Sequence, residues 1–261
     1  MITVKLMGGL GNQLFQRAFG LALEGRGYTV RYDLFALKEG THREYSLGYF
    51  SDLPISRQEG PIVKEEGAGF NAAYLNPPDT CTMVGYWQSE KYFLPVAYEV
   101  NEAFRFRGPR PLLPDCIAVH VRRGDYVDLQ QFHGMPDIKY YTEGVEHIRR
   151  RVGEPLKVLV LSDDRQWCRE NLPSDFTVVE GANKYEDMKI IAACGFAVIA
   201  NSSFSWWGAY LNPTGEIYAP SRWFGPAMPP PNDRQSDIVL PAWRTIPVYA
   251  DRADDQATLS Q

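Results

Sequence analysis

Cys116-Ile117-Ala118-Val119-His120-Val121-Arg122-Arg123-Gly124-Asp125-Tyr126 is the stretch on which the fold turns. Four apolar residues followed by alternation predict a buried strand that ends in a polar loop. In open α/β sheets, ligands sit outside the carboxyl ends of the strands. A histidine, two arginines and an aspartate thus emerge where a ligand would bind. Arginine presents a planar fork that grips phosphate bidentately. The segment therefore points to an anionic ligand whose charge is held by guanidinium groups rather than by a metal.

Outward from this stretch, strands alternate with helices. The pattern predicts a helix over 138–151, a strand over 157–161 that ends in Ser162-Asp163-Asp164, and a helix over 165–171. A strand at 177–179, a helix at 184–194, a strand at 197–200, a helix at 204–211 and a strand at 216–219 follow. Such alternation implies a parallel sheet with helices on both faces. Residues 99–115, rich in Arg and Pro, read as a connector between a domain of residues 1–110 and one of residues 111–261. The first domain opens with a strand over 2–7 and the turn Gly8-Gly9-Leu10-Gly11-Asn12-Gln13. A helix comes next, on which Leu14, Phe15, Ala18, Phe19 and Ala22 recur at helical spacing until Gly25 and Gly27 end it. A second strand spans 28–32. Residues 34–80, broken by Pro54, Pro61, Pro77 and Pro78, read as irregular, and the polar tail from Asp251 reads as frayed.

Composition narrows the function. The 261 residues carry a net charge of −5, so a global basic field for nucleic acid is absent and any anion must meet a local cluster. The four cysteines form no Cys-x-x-Cys pair and read as reduced and structural. No apolar run reaches the length of a membrane span, and Met1 to Lys5 lacks a leader pattern. The expectation is a cytoplasmic enzyme.

Three further segments share the strand-to-helix geometry of an anion site, and each has a plainer reading. Gly8 to Gln13 can cradle phosphate with main-chain N–H groups. The dinucleotide fingerprint is broken at its third glycine, where Leu14 stands, and no Gly-Lys-Ser/Thr follows. A tight turn with Asn12 as the helix cap explains it equally well. Asp163 and Asp164 can bind ribose hydroxyls or a divalent metal, but capping of the next helix is the leading role. Ser202 and Ser203 can cap a helix that buries Trp206 and Trp207, or offer donors to an anion. Arg122 and Arg123 could form a solvated loop paired with Asp125 or Asp128.

Gly8 to Gln16 (GGLGNQLFQ), His120 to Tyr126 (HVRRGDY), Leu161 to Asp164 with Trp167, and Asp187 to Trp207 (DMKIIAACGFAVIANSSFSWW) together resemble glycosyltransferase family 11, the bacterial α1,2-fucosyltransferases. The resemblance implies a GT-B-type α/β fold of two Rossmann-like domains facing a cleft. Residues 1–110 would form the acceptor side and residues 111–261 the GDP-sugar side. It implies inverting transfer of L-fucose from GDP-fucose to the 2-hydroxyl of a galactose-containing oligosaccharide or glycolipid, with no metal and no cofactor beyond the donor. Arg122, Asp125 and His120 are then the candidate catalytic residues. Gly9, Gly11, Asn12, Gln13, Arg122, Arg123, Asp163, Asp164, Asp187, Ser202, Ser203 and Phe204 are the candidate nucleotide contacts. A fixed cation aimed at the leaving β-phosphate is the largest catalytic contribution to expect. The general base stays open among Asp125, His120 and His42. A fucosyltransferase of another linkage, a dinucleotide-dependent oxidoreductase and a non-catalytic sugar- or nucleotide-binding module are the alternatives. A lipid-linked acceptor would bring peripheral contact with the inner face of the plasma membrane, although the Arg149-Arg150-Arg151 run reads first as a solvated helix end.

Overall fold

A computed structural model describes residues 1–39, 43–57, 60–225, 227 and 237–248. The described residues of Met1–Gly108 and Pro229–Leu240 form one unit, and those of Pro109–Met228 and Pro241–Gln261 form a second.

In the first unit β1 (Ile2–Lys5) is buried on both faces, with Ile2 and Val4 fully covered, as strands of parallel sheets are. The glycine turn leads into α1 (Leu10–Gly25), whose Leu14, Phe15, Ala18, Phe19 and Leu23 are buried. Gly9 occupies the N-cap position without a side-chain bond. Asn12 therefore sits inside the first turn of the helix, and its expected capping role is not the one observed. β2 (Val30–Asp33), β3 (Ile62–Lys64), β4 (Cys81–Val84) and α2 (Ala97–Ala103) follow. The sheet order is β2-β1-β4-β3 with every pair parallel. The chain thus fills one side of β1 with β2 and returns on the other side, so the order reverses between β1 and β4. Residues 34–80, expected to be irregular, contain β3. It is a three-residue edge strand with Ile62 56% exposed, too short for an alternation to register. Asp237 of the returning segment accepts the Phe70 N–H at 2.7 Å through Oδ2 and pairs with Lys91, and Ile238 beside it is buried.

The second unit is built on β5 (Leu113–Val121). After it come α3 (Gln130–His133), α4 (Ile138–Val152), β6 (Lys157–Ser162), α5 (Arg165–Asn171), β7 (Phe176–Val178), α6 (Lys184–Ala193), β8 (Cys194–Val198), α7 (Ser203–Tyr210), β9 (Glu216–Pro220) and β10 (Arg244–Ile246). The six-stranded order β10-β9-β8-β5-β6-β7 is parallel throughout. Read from β7, it is the order of doubly wound nucleotide-binding domains, with its reversal between β5 and β8. Ile117, Val119 and Val121 pack with Tyr140, Tyr141, Val145 and Ile148 of α4 and with Val158 and Val160 of β6. Each such buried side chain contributes about 1.5–3 kcal/mol. The Tyr140 hydroxyl donates to the Ile199 carbonyl at 2.7 Å, which fixes the chain just past β8. All four cysteines are buried free thiols. Among the described residues no helix is long and apolar enough to cross a membrane.

Candidate active site

Parallel sheets bind ligands where the strand order reverses, outside the carboxyl ends. In the second unit that place lies beyond β5 and β8. Arg122 to Tyr126 leave β5 there, and Asn201 to Phe204 leave β8 into α7.

Arg122 is held on two sides. Nη2 donates to Asp125 Oδ1 at 2.5 Å, and Nη1 meets Asp163 Oδ2 at 2.9 Å. The guanidinium lies 5.3 Å from the centre of the Tyr126 ring. Its Nε is buried without a hydrogen-bond partner. Burial opposes the charge, but Asp163 and Asp125 outweigh it and hold the Arg122 pKa above its ordinary value. The group is a fixed, oriented cation. Gly124 permits the approach of Asp163, since a Cβ at that position would stand 2.5 Å from its Oδ2.

Arg123 is engaged differently. Its main-chain N–H donates to Asp163 Oδ1 at 3.0 Å and its Nε to Asp164 Oδ2 at 3.1 Å, while the guanidinium stacks 3.9 Å over Trp167. Asp164 caps α5 by accepting the Trp167 N–H at 3.1 Å, and its own N–H is taken by Ser162 Oγ at 2.9 Å. The segment from Ser162 to Trp167 thus braces the arginine loop. Of the two adjacent aspartates, Asp164 takes the capping role.

His120 is buried at the end of β5, with its ring centre 5.2 Å from that of Phe204. Burial, and then the charge of Arg122, push its pKa down to about 3. It stays neutral and binds protons too weakly to serve as a strong general base. Ser202 caps α7, accepting the Phe204 N–H at 3.3 Å, and Ser203 begins the helix. Asp187 on α6 accepts from Arg165 Nη2 at 2.9 Å through Oδ2, while Oδ1 is buried without a partner. Burial raises its pKa to about 6 against the pull of Arg165.

Contacts brought in by residues outside the expected set complete the picture. Arg165 follows the α5 cap and reaches Asp187. His133 stacks on Tyr126 at 4.5 Å and 13°. Asn201 is buried and donates from Nδ2 to the carbonyls of His133, Gly134 and Trp223, while its own carbonyl accepts from the Tyr126 hydroxyl at 3.2 Å. A short helix after a loop gives His133 no sequence signal, whereas Asn201 stood in the quoted motif without a role.

Gly9, Gly11, Asn12 and Gln13 belong to the first unit. The Gln13 amide is taken up by main chain: Oε1 accepts from the Ser46 N–H at 2.9 Å, and Nε2 donates to the Gly8 and Glu44 carbonyls at 2.9 and 2.8 Å. Asn12 Oδ1 accepts from Gln88 Nε2 at 2.8 Å. His42 lies outside the described residues. Among the described residues no cluster of three or more His, Cys, Asp or Glu side chains is arranged to hold a metal ion.

The family described as Glycosyl transferase family 11 matches residues 72–246, which include the arginine loop, the α5 cap and the Asn201–Phe204 turn. This chain belongs to glycosyl transferase family 11. As a member of that family it is a glycosyltransferase. The Escherichia coli alpha-1,2-colitosyltransferase is 29% identical to it over 269 residues, covering 86% of this chain and 92% of the relative. The galactoside 2-alpha-L-fucosyltransferase SEC1 of Bos taurus is 33% identical over 123 residues, 44% of this chain and 33% of that protein. The crystal structure of POFUT1 in complex with GDP matches with a TM-score of 0.53 over 84% of this chain and 97% of that one, at 12% identity. At that identity the likeness speaks for the fold alone, and the family 11 chain has the GT-B-type α/β fold.

Proposed function

We propose that this glycosyltransferase moves L-fucose from GDP-fucose to the 2-hydroxyl of a galactoside, with inversion and without a metal ion. The first unit takes the acceptor and the second takes the donor. The observation that carries the reading is the Arg122 guanidinium, fixed by Asp125 and Asp163 at the strand-order reversal of the second unit. In the reaction the acceptor hydroxyl oxygen attacks the anomeric carbon and gives up its proton to solvent, the bond from that carbon to the diphosphate breaks, and GDP leaves with charge growing on its β-phosphate. Arg122 stabilises that charge through N–H groups that its two carboxylates leave open, and a preorganised donor of this kind is the largest single catalytic effect to expect. The main-chain N–H groups at the start of α7 add a second anion contact. Asp187 Oδ1 suits the N–H donors of guanine. The neutral His120 ring, packed with Phe204, shapes the floor. Bond breaking that runs ahead of attack leaves an oxocarbenium-like sugar and asks little of a base, which fits the weak basicity of His120.

The relatives support the chemistry. SEC1 is named for α-2-fucosyl transfer to galactosides, and the Escherichia coli relative for α-1,2 transfer of colitose. The second name favours one other reading, in which the linkage is the same and the donor sugar is colitose. The free thiols suit a reducing compartment, which supports a reaction in the cytoplasm, with a glycolipid acceptor met at the membrane surface.

Melting curves in EDTA with GDP, UDP, ADP and NAD test the reading. GDP at a hundred times its dissociation constant should add roughly 2.7 kcal/mol, a rise on the order of 5 °C. The other nucleotides should add little. Arg122→Ala should bind GDP poorly and lose transfer by on the order of 100-fold or more. A shift with NAD instead of GDP, or a wild-type rate in the variant, overturns it.

A further inference from the structure

Beyond the glycine turn expected to touch the nucleotide, the strand-order reversal of the first unit carries side chains that the donor chemistry leaves unused. Between β1 and β4 two turns leave the sheet: Gly8-Gly9 after β1, and Gly85-Tyr86-Trp87-Gln88 after β4. They are bonded into one body. The Gln16 amide accepts the Met7 N–H and donates to the Gly85 carbonyl, each at 3.0 Å, and Gln88 Nε2 donates to Asn12 Oδ1 at 2.8 Å. Gly8 has φ +78°, and a Cβ there would stand 2.4 Å from Asn12 Nδ2, so this exit is kept as bare main chain.

Among the described residues Trp87 alone, apart from glycines, has a positive φ, at 55°. A bulky residue in the left-handed region persists only where its surroundings enforce it, and such positions cluster at functional sites. Here Glu65 Oε2 accepts both the Tyr86 and Trp87 N–H groups at 2.6 and 3.0 Å, and the Trp87 ring stacks on Phe19 at 4.2 Å and 10°. The kink buries Trp87 fully and leaves the ring before it, Tyr86, 42% exposed. On the other side of β1, the turn after β2 carries Phe35, 90% exposed and fixed by its N–H bond to Asp33 Oδ1 at 2.9 Å. The register sets Lys5 level with Asp33 and, one step past Val4 and Met83, with Val84. Phe35 and Tyr86 each stand two residues beyond that level, past the ends of the strands either side of β1. Two strand spacings, about 10 Å, separate those strands. No lysine or arginine occurs among residues 6–9, 34–37 or 85–88, so the side chains of these exits suit a neutral ligand.

We infer that Tyr86 and Phe35 form the acceptor platform of the first unit, Tyr86 stacking on the C–H face of a galactopyranoside and Phe35 closing on the sugar from the other side, with Glu65 as the positioning residue that sets the Tyr86 turn. Galactose presents such a face at C3, C4 and C5, and aromatic rings cover apolar area while the tyrosine hydroxyl keeps a polar handle for a sugar hydroxyl. The inference rests on the galactoside reading above and names the residues that would carry it.

Saturation-transfer NMR with methyl β-D-galactopyranoside, run beside steady-state kinetics with GDP-fucose, tests it. Wild type should pass saturation to H3, H4 and H5 of the sugar. Tyr86→Ala and Phe35→Ala should lose most of that signal and raise the acceptor KM by on the order of tenfold, with the GDP-fucose KM and the GDP melting shift unchanged. Tyr86→Phe should keep the stacking signal. Phe35→Ala, which removes a ring exposed over 90% of its surface, serves if Tyr86→Ala does not fold. Wild-type signal and KM in both alanine variants, or no saturation transfer to wild type, overturns the platform. A platform confirmed by NMR in a protein that moves no fucose leaves this inference standing and refutes the donor reading instead.

Discussion

Asp187 shows how one side chain can couple ligand binding to pH. Burial is the larger influence on it and Arg165 the smaller opposing one, which leaves its pKa near 6 and one oxygen without a partner. If that oxygen accepts guanine N–H groups, the ionised form is the binding form. The share of GDP affinity owed to Asp187 should be full well above pH 6 and fall about tenfold per pH unit below it. Titration calorimetry at pH 5 and 7.5 should show a smaller difference for Asp187→Asn than for wild type, and equal differences would refute the contact. Without ligand the sign reverses. The folded pKa lies above the ordinary 3.8, so the stabilisation from the neutral form is full below about 4 and is lost as pH rises through 6. His120 acts in the opposite direction: its folded pKa, about 3, lies below the ordinary 6.5, so its contribution to stability is full above about 6.5 and is lost as pH falls toward 3.

Among the elements, length decided what the sequence made visible. Helices such as α1 and α4 run for 16 and 15 residues, long enough for a period of 3.6 to repeat. β3 and β10 have three residues each, and no alternation can repeat in so few; β7 is as short and was legible only from the strand–helix alternation around it. The polar loops at strand ends were legible because arginine, aspartate and serine stand directly after apolar runs. Of the two readings offered for the glycine turn, the one with Asn12 as cap fails, since Gly9 holds the cap position and Asn12 Oδ1 accepts from Gln88, 76 positions away, which no local pattern reveals. Arg165 gained its role in the same way, through its contact with Asp187, whereas His133 gained its own across a short loop with no periodic pattern to reveal it. The cap of α5 was legible and can be tested. Asp164→Ala removes the bond to the Trp167 N–H and should cost about 1 kcal/mol in urea unfolding. It should also loosen Arg123, which Asp164 holds at 3.1 Å. A variant as stable as wild type would deny the cap its role.

At the scale of the molecule, each unit has its own parallel sheet and its own strand-order reversal, and the charged one belongs to the second unit. Hydrogen exchange should place the nucleotide there. GDP should slow exchange at 122–126, 163–167 and 201–205, where N–H groups and their carboxylate braces surround Arg122, and leave β7 and β10 unchanged. Slowing confined to the first unit would assign the nucleotide to the glycine turn instead. The returning segment at Asp237 also sets an order in time. The carboxylate that receives the Phe70 N–H is 167 residues further along the chain. At ribosomal rates it emerges roughly 10–30 s after its partner. The unit that leaves the ribosome first therefore stays open until residues 229–240 have followed most of the second unit out, and through that interval Phe70 and Lys91 wait without the carboxylate that joins them.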